Sequence, residues 1–299
     1  MIRTLVICVG LMLAGSCIAQ EITPRAYWPT PKDTKLVVLV YGHQSGDVIT
    51  DQSLPIEGAE SRINSAIAGY QQTFSLFGRT TNLQIEVPFA SGSTRANLDG
   101  SPVRRDISGL GDIGATLSIN LLGAPSFKPE DFKAFRKNPK PILALGIKVV
   151  APTGDYDDDR LINVGNNRWA TRVRLGYIQP LTERWVLELS AGTWFFQDNK
   201  DFVRGVRQQK PVTAFDVSLI RRIRPGFWVS LDGNYYIGGR TTVDKTTNVD
   251  YQRNSRVGLS IAYPVSNRHL WKFSFTKDIA TEFGGNYSTF SLSYAYRIR

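Results

Sequence analysis

Residues 184–196 read RWVLELSAGTWFF. Trp185, Leu187, Leu189, Ala191 and Phe195 fall on odd positions, with Thr193 the one polar residue among them, while Glu188, Ser190 and Gly192 fall between. Successive side chains of a strand point to opposite faces, so this stretch is a ribbon with one apolar and one polar side. The polar side carries a carboxylate, which a dry core would not accept without a partner. The decisive question is what covers the apolar side, because the same pattern returns along nearly the whole chain.

Working outward, about twelve strands are expected, at 36–44, 61–76, 80–90, 111–122, 141–151, 168–179, 184–196, 212–222, 226–238, 253–263, 269–277 and 287–298. Each is near the ten residues that cross a bilayer at a tilt, and longer than the 5–6 residues usual in a soluble sheet. In 80–90 the residues Leu83, Ile85, Val87 and Phe89 oppose Asn82, Gln84 and Glu86. In 226–238 Phe227, Val229, Leu231, Tyr235 and Ile237 oppose Ser230, Asp232 and Asn234. Several apolar faces begin or end in aromatics, among them Trp169 and Tyr177, Trp185 and Phe195, and Phe227 and Tyr235. Aromatic girdles of this kind sit at headgroup depth.

The connections alternate in length. Short ones fall near 77–79, 180–183, 223–225 and 264–268; long polar ones fall near 45–60, 91–110, 152–167, 197–211, 239–252 and 278–286. Residues 123–140 break the alternation, and KPEDFKAFRK at 128–137 predicts a short helix there. A soluble β-sandwich explains alternation but neither the strand lengths nor the charged inner faces. The fold class predicted is therefore all-β: a transmembrane, up-and-down antiparallel β-barrel of about 12 strands, with short periplasmic turns and longer outer loops.

The first residues, MIRTLVICVGLMLAGSCIAQ, have the plan of a secretory signal peptide: Arg3, an apolar run from Leu5 to Leu13, then small residues up to Ala19. The run is shorter than the ~20 residues of a spanning helix. Domains are expected as a signal peptide at 1–19, an irregular segment at 20–35 containing Pro24, Pro29 and Pro31, and a barrel over 36–299. Lipidation at Cys17 is a rival to cleavage after Ala19. Both cysteines, Cys8 and Cys17, lie in this leader, so the exported chain would hold no disulfide. Mean hydropathy is −0.19, an average in which alternating faces cancel. The net charge of +10 suits lipid headgroups and lipopolysaccharide phosphates as partners; the export signal argues against nucleic acid.

Catalysis has little to work with. The two histidines, His43 and His269, fall on different strands. A lipase-type Ser–His–Asn arrangement would have only His43 as base, beside Gln44 and Ser45. Neither a catalytic group nor a cofactor is expected, and a zinc site lacks ligands. The acidic run Asp155, Asp157, Asp158 and Asp159 could hold calcium, but its spacing is not that of an EF-hand, Arg160 and Arg168 are near, and a solvated loop is the simpler reading. Function must then lie in the lumen or the loops. The expected lumen-lining residues are Glu86, Lys148, Arg172, Arg174, Glu188, Asp216, Arg222, Asp232, Arg256 and Lys272, with Tyr70, Trp194, Trp228 and Tyr236 as inward aromatics.

In serial order the chain carries GDVITDQSLPIEGAESRINSAIAGYQQTFSLFGRTTNLQIEVPFASG from 46, GLGD at 109–112, APTGDYDDDRLINVGNNRW at 151–169, WFFQDN at 194–199, GGRTTVD at 238–244 and QRNSRVG at 252–258. This organisation resembles the MetA-pathway-of-phenol-degradation outer-membrane family over about residues 35–299. The resemblance implies a Gram-negative outer-membrane barrel and a transporter for aromatic or hydrophobic compounds. The ending Tyr296-Arg297-Ile298-Arg299 departs from the terminal Phe or Trp of many outer-membrane proteins. The function expected is passive diffusion of small aromatic or hydrophobic molecules; the alternative is a structural or adhesive barrel acting through its outer loops.

Overall fold

The computed structural model describes residues 22–49, 56–203 and 205–298. Its elements are β1 (Lys35–Ile49), β2 (Ile56–Leu76), β3 (Arg79–Leu98), β4 (Ser101–Leu110), β5 (Gly114–Leu122), α1 (Pro129–Lys137), β6 (Ile142–Val150), β7 (Ala170–Pro180), β8 (Trp185–Phe196), β9 (Asn199–Phe202), β10 (Gly205–Gln209), β11 (Val212–Arg224), β12 (Phe227–Gly238), β13 (Thr241–Val243), β14 (Thr246–Thr247), β15 (Gln252–Pro264), β16 (His269–Ala280) and β17 (Gly284–Ile298). Twelve of these strands close into one antiparallel barrel, in the order β1, β2, β3, β5, β6, β7, β8, β11, β12, β15, β16, β17 and back to β1. Closure leaves no unpaired edge, the condition for a sheet to stand in hydrocarbon.

Register decides the faces, because directly opposed residues share a side. Gln84, Thr116, Lys148, Arg172 and Trp194 oppose one another across five successive strands. On the odd positions of β8 the predicted apolar face looks outward: Leu189 is 43% exposed where Val186 is 1% exposed. Leu231, at 63%, is likewise turned to the surroundings while its neighbour Asp232 is buried. Lipid takes the place of a core for the outward face.

Four features differ from expectation. The stretches 45–60 and 91–110 are largely strand rather than loop: β1 runs to Ile49, β2 starts at Ile56, and β3 continues to Leu98 before turning into β4. These strands rise above the barrel as a wall, since polar residues pair equally well in water once the hydrogen-bond ladder is extended. The segment 278–286 is also mostly strand, broken only at 281–283. Tyr70, expected to face inward, faces outward, because it opposes Val37 and Ile85, both exposed. Finally, one end of the lumen is dry. Ile142, Ile178, Val186, Ile220, Trp228 and Ala262 point inward there and pack with Tyr27, Trp28, Phe127 and Phe135. Polar inner faces thus give way to an apolar plug at the end of the short turns.

Helix α1 supplies part of that plug. Pro129 stands in its first turn with Glu130 and Asp131, and Arg136 and Lys137 stand in its last, an arrangement that suits the helix dipole. Phe132 and Phe135, three apart, share one face; Phe135 lies 4.6 Å from Phe127 and 6.0 Å from Trp28 between ring centroids. At the opposite end β9, β10, β13 and β14 form a second, four-stranded sheet over the mouth. Phe202 and Val243 are buried within it.

Candidate functional site in the barrel lumen

Residues 22–34 precede β1 and lie inside the barrel. Pro24 and the turn over 24–27 direct Tyr27 and Trp28 into the dry end of the lumen. Arg25 holds a left-handed φ of 66°, which is costly for a side chain with a Cβ. Its backbone N–H donates to Glu188 Oε2 at 2.6 Å, a bond that offsets this. The barrel wall is shaped to receive the segment. A Cβ on Gly176 would stand 2.3 Å from Tyr27 Cδ2, and one on Gly146 would stand 2.6 Å from the Tyr27 hydroxyl. Asn120 Nδ2 donates to the carbonyl of Tyr27 at 3.3 Å, and Asp33 N and Thr73 N bond across to Thr73 O and Thr34 O at 2.8 Å each.

The ten residues expected in the lumen separate into groups. Glu86 and Lys148 form an ion pair. Arg174 donates to Asp216 Oδ2, Ser190 Oγ and Thr23 Oγ1, each at 2.9 Å, so one guanidinium ties β7, β8, β11 and the inserted segment together. Asn234 Nδ2 donates to the other Asp216 oxygen at 2.7 Å. Arg256 makes a two-pronged pair with Asp278 at 2.7 and 2.9 Å, and Asp278 Oδ2 also accepts from Tyr287 N. Asp232 accepts from Ser230 and Ser260 at 3.0 and 2.9 Å. Glu188 meets the inserted segment. Lys272 and Arg256 border a cavity of about 370 Å³ that also touches Ile22, Thr23 and Glu86. Arg172 and Arg222 border a second one, of about 440 Å³, above α1.

Arginines and aromatic rings alternate along the lumen. From the outer mouth inward, Arg168 lies 4.6 Å from the ring of Phe196, Arg172 lies 5.0 Å from Trp194, Arg174 lies 5.8 Å from Tyr27, and Arg25 lies 4.4 Å from Trp28. Trp194 and Phe196 are stacked at 6.3 Å. Burial pulls Arg25 down to about 10, with Arg222 and Arg136 adding to the effect and Glu188 opposing it. Burial also lowers Arg136.

Arg25, Tyr27 and Trp28 escaped the reading of the sequence, which gave 20–35 only as irregular. A signal was present: RAYW between two prolines is too aromatic for a solvated leader-proximal linker. Asp278 was missed because its partner, Arg256, is 22 residues away. The scattered glycine-rich motifs also meet in space. Asp112 of GLGD accepts from Gly154 N, Asn166 N and Asn166 Nδ2 at 2.9, 2.8 and 3.1 Å, which ties the 109–112, 151–159 and 163–167 stretches into one outer knot. Asp155 Oδ2 accepts from Leu110 N at 2.8 Å.

The two histidines stand apart, each with its own partner. His43 Nδ1 contacts Asn64 Oδ1 at 2.9 Å, and the register row reads Phe290, His43, Asn64, Ser91. Asn64, rather than a serine hydroxyl, is thus the side-chain partner of the His43 ring. His269 contacts the Tyr294 hydroxyl at 2.6 Å near the short-turn end. Asp157, Asp158 and Asp159 are exposed together, with Arg160 at 3.5 Å from Asp157. Asp155 is turned to Leu110 instead.

Among solved structures the chain is similar to the COG4313 outer membrane channel from Pseudomonas putida F1, with TM-score 0.76 and 20% identity over 93% of this chain and 100% of that one. It is also similar to the transport unit of the autotransporter AIDA-I from Escherichia coli, with TM-score 0.55 and 11% identity over 98% of each chain. The β domain of the Bordetella autotransporter BrkA gives TM-score 0.53 and 10% identity over 89% of this chain and 100% of that one. These likenesses establish the fold, a closed 12-stranded barrel of the outer-membrane type, and at such identities they establish nothing more. No curated protein matches the chain. A family model matches residues 42–297, from the middle of β1 to the end of β17. The chain belongs to the family described as "Putative MetA-pathway of phenol degradation".

Proposed function

We propose that this protein is a passive outer-membrane channel for small aromatic or hydrophobic molecules, exported by a cleaved leader and standing among lipopolysaccharide phosphates that suit its +10 charge. The observation that carries the reading is the lumen: cavities of about 440 and 370 Å³ share Thr23, Gln84 and Glu86 as lining, the larger bordered by rings as well as charges and the smaller by Val38, Val40 and Ile67 beside Arg256 and Lys272. Volumes of this order hold a single small solute, not an oligosaccharide or peptide. The inserted segment enters from the β1 end; Asp33 and Thr34 bond to the wall at Thr73, and the residues before them are held by scattered hydrogen bonds and side-chain packing. Its displacement would join the two cavities to both mouths. Glu86, Lys148, Arg172, Arg174, Glu188, Asp216, Arg222, Asp232, Arg256 and Lys272 line the route in this reading. The family's description, with its reference to phenol degradation, is consistent with an aromatic solute.

The test is liposome flux with the reconstituted full chain, alongside growth of a deletion strain on a panel of aromatic carbon sources. Flux of single-ring solutes above empty liposomes, and slowed growth restored by the intact gene, are the expected results. Equal flux and equal growth for every compound would discard the channel.

A further inference from the structure

The cavity above α1 is faced by seven cationic side chains and one carboxylate, Glu86. Lys148 is held by Glu86 and Arg174 by Asp216. Arg25, Arg136 and Arg222 converge on the same space, and among the described residues no carboxylate pairs with the guanidinium of any of the three. Glu188 accepts from the backbone N–H of Arg25 and its charge offsets part of that guanidinium's, without a direct ion pair between them. Arg222 Nη2 donates to the carbonyl of Arg136, and Arg222 Nη1 is buried with no hydrogen-bond partner. A buried charged donor without an acceptor is a costly arrangement for the protein to keep.

The same space has an aromatic wall. Arg25 lies 4.4 Å from Trp28 and 5.6 Å from Trp228, Arg222 lies 5.5 Å from Trp28, and Arg136 lies 5.9 Å from Phe132. Phe132 and Leu270 also border the cavity. A neutral apolar solute would leave Arg136 and Arg222 without a counter-charge and would strip the guanidiniums' remaining hydration. An inorganic anion would leave the rings unused. A solute with a ring at one end and a carboxylate at the other satisfies both halves, and two guanidiniums offer the forked donors that a carboxylate accepts.

We propose that this cavity is a binding site for single-ring aromatic carboxylates, with the carboxylate on Arg222 and Arg25 and the ring against Trp28 and Phe132. The proposal rests on the channel reading above and narrows its solute from hydrophobic to anionic. The Arg172–Trp194 and Arg168–Phe196 pairs repeat the same combination toward the outer mouth, so a solute released from one pair meets another of like chemistry.

Equilibrium dialysis of the purified full chain at neutral pH tests it, with benzoate, phenol and acetate as probes. Benzoate is expected to bind about tenfold or more tightly than phenol, which keeps the ring, or acetate, which keeps the charge. Arg222→Gln and Arg25→Gln are each expected to weaken benzoate about tenfold, while Arg104→Gln, on the exposed outer hairpin, leaves it unchanged. Heat-dependent gel mobility confirms that each variant is folded, and if either fails to fold the other carries the same test. Phenol binding as tight as benzoate, or folded variants with full benzoate affinity, would overturn the site. Liposome flux separates the two claims. Neutral-solute flux without benzoate binding removes the site and keeps the channel, whereas benzoate binding without flux of any solute keeps the site and removes the channel.

Discussion

Tyr27 occupies the space that Gly176 leaves vacant: a Cβ built on that glycine falls 2.3 Å from the tyrosine ring. The contact joins a segment outside the sheet to the middle of β7, across 149 residues of chain (176 − 27). Replacing Gly176 with Ala should therefore unseat residues 22–34 without preventing closure of the wall. Conductance in planar bilayers should rise, and a protease added on the short-turn side should cut near Arg25. Gly69→Ala, whose new methyl would meet nothing nearer than 3.6 Å, is the matched control. Equal conductance for the two variants would mean that the segment does not obstruct the lumen.

Arg174 and Asp216 are both nearly buried and meet at 2.9 Å. Removing one partner of such a pair strands the other charge, so Arg174→Met should lower stability by about 3 kcal/mol. The double variant Arg174→Met, Asp216→Leu should recover much of this loss, since paired burial carries its own desolvation cost. Urea unfolding in lipid vesicles, scored by gel mobility, measures both. A double variant no more stable than the single would show that Ser190 and Asn234, not the ion pair, set the local energy.

Leu231 is the outward neighbour of Asp232, midway along β12. Leu231→Arg should cost about 2–4 kcal/mol in a bilayer, as expected for a charge at the midplane. Asp232→Asn, on the lumen side, should cost far less because Ser230 and Ser260 still supply donors. Folding yields into vesicles compare them. Similar losses at both positions would contradict the assignment of faces.

Asp112 accepts three N–H groups from Gly154 and Asn166. Asp112→Ala leaves those donors unpaired and should weaken the outer knot by about 2–3 kcal/mol. The loss should be local. Hydrogen exchange should quicken at 109–113 and 152–167 while β7 and β8 stay protected. Uniform acceleration would make Asp112 a support of the whole barrel.

The wall of this molecule was legible because its periodicity is written twice. Each strand alternates by itself, and each neighbour repeats the alternation in register, so β8, β12 and β15 lie within two residues of expectation. Aromatic ends and charged inner faces then distinguished lipid from a core. What escaped was the content of the barrel. Residues 22–34 have no period, and their position depends on absences at Gly146 and Gly176, which a sequence shows only as glycines. The dry end was hidden because Ile142, Ile178, Val186 and Ile220 are apolar on both faces of their strands, where alternation carries no information. Tyr70 was misassigned for a similar reason: β2 carries small and polar residues on both sides, so its phase is fixed by pairing with β1 rather than by its own pattern. The ion pairs of the lumen join residues tens of positions apart and become visible only when register sets them side by side.

The fifteen-rung seam between β1 and β17, from Lys35 opposite Ile298 to Ile49 opposite Gly284, joins the two ends of the chain. It has the greatest sequence separation of any pairing in the sheet and bears the largest loop-closure entropy, so closing it is the costliest step in making the wall. Residues 22–34 run directly into β1, one side of that seam, and lie on its inner side. The segment that fills the lumen is therefore continuous with the seam that closes it, so the stopper and the clasp of the cylinder are one stretch of chain.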